Sequence, residues 1–167
     1  TINADNTFVS GQIHNINNAD ESIVGGKSHT VTNVERTTLL GFGHQAVNVI
    51  DGLIGGNSNT VTNFVNNTIV FGKSNSISAG AFGPGHVTNN AVFGSNNICQ
   101  HKTHQNIISG SNNIVSVTNN SSIMGISHII SQTDDILTSG TTHMIKDVSS
   151  SVIFGKQHDI SGTSVND

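Results

Sequence analysis

The sequence predicts an all-β protein folded as a parallel β-solenoid, and three observations lead to that prediction. Two aliphatic residues, a small or aromatic residue and a glycine recur in this order along almost the whole chain of 167 residues. The step is close to 15 residues, whereas helical repeats need about 33 residues or more and propeller blades about 40. Each apolar stretch is short and ends at glycine, as expected of short strands joined by tight corners.

The glycines that end the clear copies serve as landmarks for counting coils. They are Gly11, Gly26, Gly56, Gly72, Gly94, Gly110, Gly125, Gly140 and Gly155. The step from Gly26 to Gly56 is 30 residues and holds a degenerate coil, residues 38–51, while the 22-residue step after Gly72 holds an insertion, residues 79–90. We expect about ten coils in a single domain, 1–167. The chain begins without methionine or a signal-like segment, so we expect it to be a fragment of a longer protein.

Two columns of apolar residues are predicted to form the walls of a continuous core, since equivalent residues of stacked coils lie about 4.8 Å apart. The column five residues after the landmark glycine comprises Ile16, Val31, Val61, Ile77, Cys99, Val115, Ile130, Ile145 and Ile160. The column two residues before it comprises Val9, Val24, Ile54, Val70, Val92, Ile108, Ile123 and Ile153, with Thr138 as the exception.

A third apolar column, three residues before the landmark glycine, predicts self-association. It comprises Phe8, Ile23, Leu53, Ile69, Ala91, Ile107, Leu137 and Val152, with Ser122 as the exception. Adjacent strand residues point to opposite faces, so this column and the one after it cannot both fill the coil interior. The outer face needs a second surface, and further copies of the chain are the simplest source.

Histidine or asparagine stands three residues after each landmark glycine: His14, His29, Asn59, Asn75, Asn97, Asn113, His128, His143 and His158. We interpret this column as a structural ladder at a corner of the coil, because asparagine tolerates the left-handed region and stacked side chains bond each other. The alternative is a metal or anion site at His14–His29 or at His128–His143–His158, which would need convergent ligands. We expect no metal and no cofactor.

Acid should weaken such a ladder. Histidines stacked one coil apart would repel each other once protonated near their reference pKa of about 6.5. The sequence therefore predicts lower thermal stability at pH 5 than at pH 7.5.

Composition and charge exclude several classes of protein. Charged residues are 10% of the chain, which is too few for a disordered chain. Aromatic residues are 4%, which is too few for a conventional globular core. The net charge of −4 comes without a basic run, so we expect neither nucleic acid nor membrane contact by this segment. The apolar runs are far shorter than the roughly 20 residues that cross a bilayer.

Some reactive residue types have structural interpretations. Cys99 occupies a core column, so we interpret it as a small core side chain, and a single cysteine forms no disulfide within the chain. Asp134 and Asp135 are interpreted as a solvated corner and not as a catalytic pair.

Binding residues are sought where the repeat is interrupted, because insertions in repeat proteins map to loops that carry function. Residues 79–90 contain the only proline, and residues 100–104 are polar and basic. The alternative interpretation of each segment is a tolerated loop without a binding role. His101 and His104 have the spacing of a zinc pair, but no third ligand is evident. The candidate receptor-binding residues are Phe82, Pro84, His86, His101, Lys102 and His104.

Residues 22–33, SIVGGKSHTVTN, and residues 52–63, GLIGGNSNTVTN, carry a family resemblance. They resemble the head repeats of YadA-like trimeric autotransporter adhesins, which read roughly Ser-x-aliphatic-Gly-x-x-Ser/Asn-x-Ala, and the likeness covers about residues 7–162. It implies a left-handed parallel β-roll and a homotrimer that forms the head of an adhesin at the bacterial outer membrane. Val or Ile replaces the family's Ala, and the neck motif is not evident after Gly155.

The resemblance implies an adhesin that binds a host cell-surface glycoprotein or extracellular-matrix protein, a virulence function without chemistry, and we expect no enzyme. The alternative is a trimeric β-helical segment of a phage tail fibre. An ice-binding solenoid would need a denser threonine array than Thr30, Thr32, Thr60 and Thr62 provide. A glycan lyase would need clustered acidic and basic groups and aromatic platforms, and the chain has no Trp or Tyr.

Overall fold

A computed structural model describes residues 2–79 and 87–162 of the chain. Every regular element in these residues is a β-strand, and all strand pairs are parallel. Two sheets run the length of the molecule, one of 12 strands (sheet A) and one of 10 strands (sheet B). Consecutive strands alternate between the sheets except for β11 and β12, which both lie in sheet A, so a typical coil contributes one strand to each sheet. The predicted parallel β-solenoid of about ten coils is confirmed.

Sheet A holds the strands that follow the landmark glycines. They are β1 (Ile2–Asp5), β3 (Asn15–Asp20), β5 (Thr30–Glu35), β7 (Gln45–Ile50), β9 (Thr60–Asn66), β11 (Ser76–Ser78), β12 (Val87–Thr88), β14 (Ile98–His104), β16 (Ile114–Asn119), β18 (Ile129–Asp134), β20 (Met144–Lys146) and β22 (Asp159–Ser161).

Sheet B holds the strands that contain the landmark glycines. They are β2 (Phe8–Gln12), β4 (Ile23–Lys27), β6 (Thr38–Phe42), β8 (Leu53–Asn57), β10 (Ile69–Lys73), β13 (Ala91–Ser95), β15 (Ile107–Ser111), β17 (Ser122–Ile126), β19 (Leu137–Thr141) and β21 (Val152–Lys156).

Glycine recurs because the coils approach each other too closely for a side chain at this point. Gly26 has φ of +119°, and a Cβ added to it would lie 2.0 Å from the carbonyl oxygen of Gly41 in the next coil. An L-residue would meet both backbone strain and a collision with main chain. The same relation links each landmark glycine to the next, so the period of the sequence is fixed by backbone packing.

The two predicted core walls are confirmed. The side chains of both columns are largely inaccessible to solvent, for example Val24, Ile54 and Ile123 from sheet B and Val31 and Ile77 from sheet A. The structure adds a third interior column, eight or nine residues after the glycine of each coil and 15 after Gly72 in the coil with the insertion. The sequence did not reveal this column because three of its members are threonines. Its buried members are Ala19, Val34, Val49, Val65, Val87, Thr103, Thr118 and Thr133.

The coil at residues 38–51 is structurally regular despite its degenerate motif. Strand β6 pairs in continuous register with β4 and β8, which places Gly41 beside Gly26 and Gly56. Leu39 is fully buried in the core column. The 30-residue step in the sequence is therefore two coils of 15 residues.

The outer face of sheet B is apolar, as the third sequence column implied. Residues three before the landmark glycine point outward, and so do the residues one before it and several one after it. The exposed large hydrophobic residues of this face are Phe8, Ile23, Leu40, Phe42, Ile69, Phe71, Phe93, Ile107, Met124, Ile126, Val152 and Phe154.

Candidate functional site

The histidine and asparagine column lies at the corner where each coil passes from sheet B to sheet A. The residue in the left-handed region is the one before it, for example Ser28 with φ of 63° and Asn112 with φ of 58°. Our stated reason for asparagine in the column, tolerance of the left-handed region, is therefore wrong. The ladder side chains turn inward and are mostly buried.

The ladder has ten members in three blocks. The first histidine block is His14, His29 and His44, the asparagine block is Asn59, Asn75, Asn97 and Asn113, and the second histidine block is His128, His143 and His158. Sequence analysis missed His44 because it belongs to the coil with the degenerate motif. Counting 15 residues from Gly26 to Gly41, and three more to the ladder position, would have found it.

The histidine rings stack face to face from coil to coil. Ring centroids are 5.1 Å apart for His14 and His29, and 5.0 Å apart for His29 and His44. In the second block the distances are 4.7 Å from His128 to His143 and 4.9 Å from His143 to His158. The interplanar angles range from 1° to 14°. The spacing matches that of neighbouring strands, so the rings follow the stacking of the backbone.

Both ring nitrogens of His29, His44, His128 and His143 have backbone partners. Nε2 of His29 lies 3.0 Å from the carbonyl oxygen of Gly25, and Nδ1 of His29 accepts from the backbone N–H of His44 at 3.2 Å. In the second block, Nδ1 of His128 accepts from the N–H of His143 at 3.3 Å. A carbonyl only accepts and a backbone N–H only donates, so the geometry assigns the neutral tautomer with hydrogen on Nε2.

The asparagine block makes the corresponding bonds with an amide. Oδ1 of Asn75 accepts from the backbone N–H of Asn97 at 3.0 Å and from its side-chain Nδ2 at 3.1 Å. Nδ2 of Asn97 also donates to the carbonyl oxygens of Phe93 and Gly110, both at 3.0 Å. The amide thus satisfies the same backbone groups and links three successive coils.

Burial lowers the pKa of three ladder histidines below the ordinary value of 6.5. For His29 desolvation is the largest cause, and the rings of His44 and His14 lower the pKa further. For His44 and His128 desolvation is again the main cause, although hydrogen bonds to the carbonyls of Leu40 and Met124 oppose it. The ladder therefore favours neutral imidazole at these positions.

Residues in excess of the 15-residue period enter three successive coils at one point of sheet A. One residue is added between Thr62 and Val65 in β9, and one between Gln100 and Thr103 in β14, each marked by a shift in strand register. The seven residues 80–86 are added between Ala79 and Val87, and β12 pairs with both β9 and β14. We call residues 62–65, 79–87 and 100–103 the insertion corner.

The structure gives geometry for one of the six candidate receptor-binding residues. Phe82, Pro84 and His86 lie outside the described residues, and the side chains of His101 and Lys102 in β14 are likewise not described. His104 is half-buried, and its Nδ1 lies 2.6 Å from Oγ1 of Thr88 in the preceding coil. The sequence could not reveal that the two interruptions occupy the same corner, because that depends on strand register.

Cys99 lies in the core, and the Asp134–Asp135 pair lies on the surface. The Cys99 thiol is buried with its Sγ 3.0 Å from Oγ1 of Thr103, and burial raises its pKa to about 11. Asp134 and Asp135 accept from the side-chain amides of Asn119 and Asn120 at 2.7 and 3.0 Å on the exposed surface.

Across residues 2–79 and 87–162, no group of three or more His, Cys, Asp or Glu side chains could hold a metal ion. The same residues include no helix with the length and hydropathy to cross a membrane. No protein-family model, curated protein or solved structure matches the chain.

Proposed function

We propose that this chain forms a homotrimeric rod that serves as the head of a bacterial surface adhesin. The observation that carries the proposal is the apolar outer face of sheet B, which extends over all ten coils. The adhesive role rests on the resemblance of the coil motif to YadA-like heads. The chain would act by recognition, without chemistry, at the cell exterior.

The size of the apolar face supports self-association. Phe71 and Phe93 are stacked at 6.3 Å and remain 39% and 38% exposed, and Phe8 and Val152 are 65% exposed. An open groove along the starting edge of the sheet is lined by Ile107, Leu137 and other side chains. Soluble monomers rarely expose one continuous apolar surface of this extent, so an interface between chains is the simplest explanation.

Charge along the edges of sheet B supports a parallel arrangement of copies. Lys27, Lys73 and Lys156 end three of its strands, and the ten strands, all described, contain no Asp or Glu. Acidic residues stand at corners where its strands begin, among them Glu21 and Asp135. Rotation about an axis parallel to the rod brings the strand ends of one copy to the strand starts of the next at the same height, which places Lys27 of one copy beside Glu21 of the next.

An antiparallel arrangement about the middle of the rod lacks this complementarity. It would set Glu21, at the start of the second strand of sheet B, opposite Asp135, at the start of the ninth. Like charges across an interface disfavour that arrangement, so the edges favour copies that point the same way.

The insertion corner supports a receptor contact on the other sheet. The register shifts of β9 and β14 lie in sheet A, so a trimer packed through sheet B would leave these parts of the two strands outside the interface. Three copies presented together would add avidity for a host glycoprotein or matrix protein. A trimeric segment of a phage tail fibre would use the same packing face. A membrane anchor encoded downstream would favour the adhesin, and neighbouring tail genes would favour the fibre.

The first test is the mass in solution, measured by light scattering. A trimer supports the proposal, and a monomer overturns it. Phe71→Ser with Phe93→Ser should dissociate the trimer because it removes apolar surface from the outer face of sheet B. The matched control is Ile129→Ser with Met144→Ser, which removes apolar surface of similar exposure from sheet A and should leave the trimer intact.

The second test concerns the receptor. Deleting residues 80–86 leaves a 15-residue step between Gly72 and Gly94, the same step as in the regular coils from Gly110 to Gly155. Binding to host cells or immobilised matrix proteins should fall, while the mass in solution should remain that of three chains. Unchanged binding would remove the insertion from the receptor site.

A further inference from the structure

The ladder sets a chemical condition on the histidine coils, because four of the six rings accept a hydrogen bond from backbone at Nδ1. In the first block, the backbone N–H of His44 donates to Nδ1 of His29 and that of Asn59 donates to Nδ1 of His44, both at 3.2 Å. In the second block, the N–H of His143 donates to Nδ1 of His128 and that of His158 donates to Nδ1 of His143, both at 3.3 Å. These N–H groups are largely buried at the corner, and a buried donor without a partner is unfavourable. The corner between coils is therefore closed only while the rings are neutral.

A proton at Nδ1 would remove that acceptor. The protonated nitrogen would carry hydrogen toward a backbone N–H that also carries hydrogen, so an attractive contact becomes a repulsive one. Adjacent protonated rings would also place like charges 4.7–5.1 Å apart in a poorly hydrated corner. Both effects act on the bonds that hold one coil to the next.

The asparagine block lacks any equivalent response. Oδ1 of Asn97 accepts from the N–H of Asn113 at 3.2 Å and from its Nδ2 at 3.0 Å, and an amide does not titrate in this range. The middle of the ladder is held by bonds that acid leaves intact. The ladder is thus divided by chemistry into two acid-sensitive ends and an acid-insensitive centre.

We propose that the two histidine blocks form an acid-operated opening device, in which protonation at Nδ1 releases the corners of their coils while the asparagine block between them keeps its own coils closed. The coils of each block can open without the rest of the rod, because a solenoid coil contacts only its neighbours and proteins open locally in cooperative units. The inference is independent of the proposed adhesin function, since it depends only on contacts within one chain.

Other charged groups around the blocks do not replace this trigger. The strands packed against the two blocks carry few charged residues, and their side chains lie on outer faces or at strand ends, exposed or half-buried. These residues are Asp20, Lys27, Glu35, Asp134, Lys146, Lys156 and Asp159. The rings themselves are the titratable groups that face one another inside the corner.

The test is hydrogen exchange at single amides, expressed as protection factors to remove the intrinsic effect of pH. Protection of the His44 and His143 amides should fall between pH 7.5 and pH 5, by about tenfold per pH unit for each proton that opening takes up. Protection of the Asn97 and Asn113 amides should stay constant. Imidazole ¹⁵N shifts should show hydrogen on Nε2 of His29 and His128 at pH 7.5.

Variants taken from the chain's own ladder provide the control. Replacing the first block by His14→Asn, His29→Asn and His44→Asn should abolish the fall at that end and leave the second block sensitive. If this variant does not fold, the wild-type exchange and ¹⁵N data still decide the matter. Constant protection at His44 and His143, an equal fall at Asn97 and Asn113, or hydrogen on Nδ1 at pH 7.5 would each overturn the proposal.

Discussion

The histidine blocks and the asparagine block occupy the same corner of the same coil but hold it by different chemistry. In the first block, His29 donates from one ring nitrogen and accepts at the other. In the centre, Asn97 makes the equivalent bonds with its amide and adds a bond to Gly110 of the next coil. The backbone requires an inward group that can both donate and accept, and either side chain meets that requirement.

The difference between the blocks lies in their response to solution conditions. A ring nitrogen that accepts a hydrogen bond can take a proton instead, whereas an amide oxygen keeps its lone pairs at ordinary pH. One structural column can therefore combine a constant centre with responsive ends. The following predictions test which properties the blocks share and which separate them.

The largest effect is expected from alanine at a landmark glycine, and it should be equal in both kinds of block. Cβ of Gly94→Ala would lie 1.9 Å from the oxygen of Gly110, and that of Gly125→Ala 2.0 Å from the oxygen of Gly140. Each glycine also has φ above +100°. Each variant should lose about 3 kcal/mol or more in urea unfolding. Unequal losses would mean that side chains, and not backbone packing, set the requirement.

A smaller effect is expected from removing a ladder side chain, and here the blocks should differ. Asn97→Ala leaves the buried N–H of Asn113 without its acceptor and should cost about 2 kcal/mol at both pH 7.5 and pH 5. His29→Ala likewise leaves the N–H of His44 unpaired, but its cost should shrink at pH 5, where the wild-type ring is itself disfavoured. Denaturant titrations of both variants at the two pH values measure this, and parallel behaviour would contradict it.

A graded loss of stability with acid is expected of the whole chain. Burial lowers the folded-state pKa of His29, His44 and His128, so above about 6.5 these rings are neutral in both states and contribute no pH dependence. Below about 6.5 the unfolded chain binds protons first, so the free energy of unfolding falls until the folded-state pKa is reached. Melting temperatures from pH 7.5 to pH 5 should decline. The profile should flatten when all six histidines of the blocks are replaced by Asn.

The smallest effect is expected at the open end of the ladder. His158 is exposed, so His158→Asn should change stability by less than about 0.5 kcal/mol. His44→Asn, at a fully buried position between two ladder neighbours, should change both stability and its pH dependence by more. Comparable changes in the two variants would show that burial does not set the sensitivity.

The insertion corner shows where prediction from sequence was incomplete. The interruptions near residues 79–90 and 100–104 were visible as irregular steps between glycines. Their alignment in adjacent coils was hidden, because it depends on the register by which β12 and β14 pair. The predicted core omitted the threonines at positions 103, 118 and 133 for a related reason. A polar residue type does not by itself indicate burial, and these side chains are interior only because the stacking of coils aligns them with apolar residues of other coils.

The sequence by itself determined the period, the two main core walls and the corner column. Each follows from a local requirement that recurs in every coil and therefore appears as a repeated residue type. The landmark glycines are the clearest case, since no other residue fits where two backbones meet. Only the tertiary structure decided that a buried ring such as His29 bonds the backbone of its own coil and of the next, and that the register shifts of β9 and β14 fall at one corner. These features arise between coils, because the stacking decides which atoms come within hydrogen-bonding distance of each other. No single repeat contains that information.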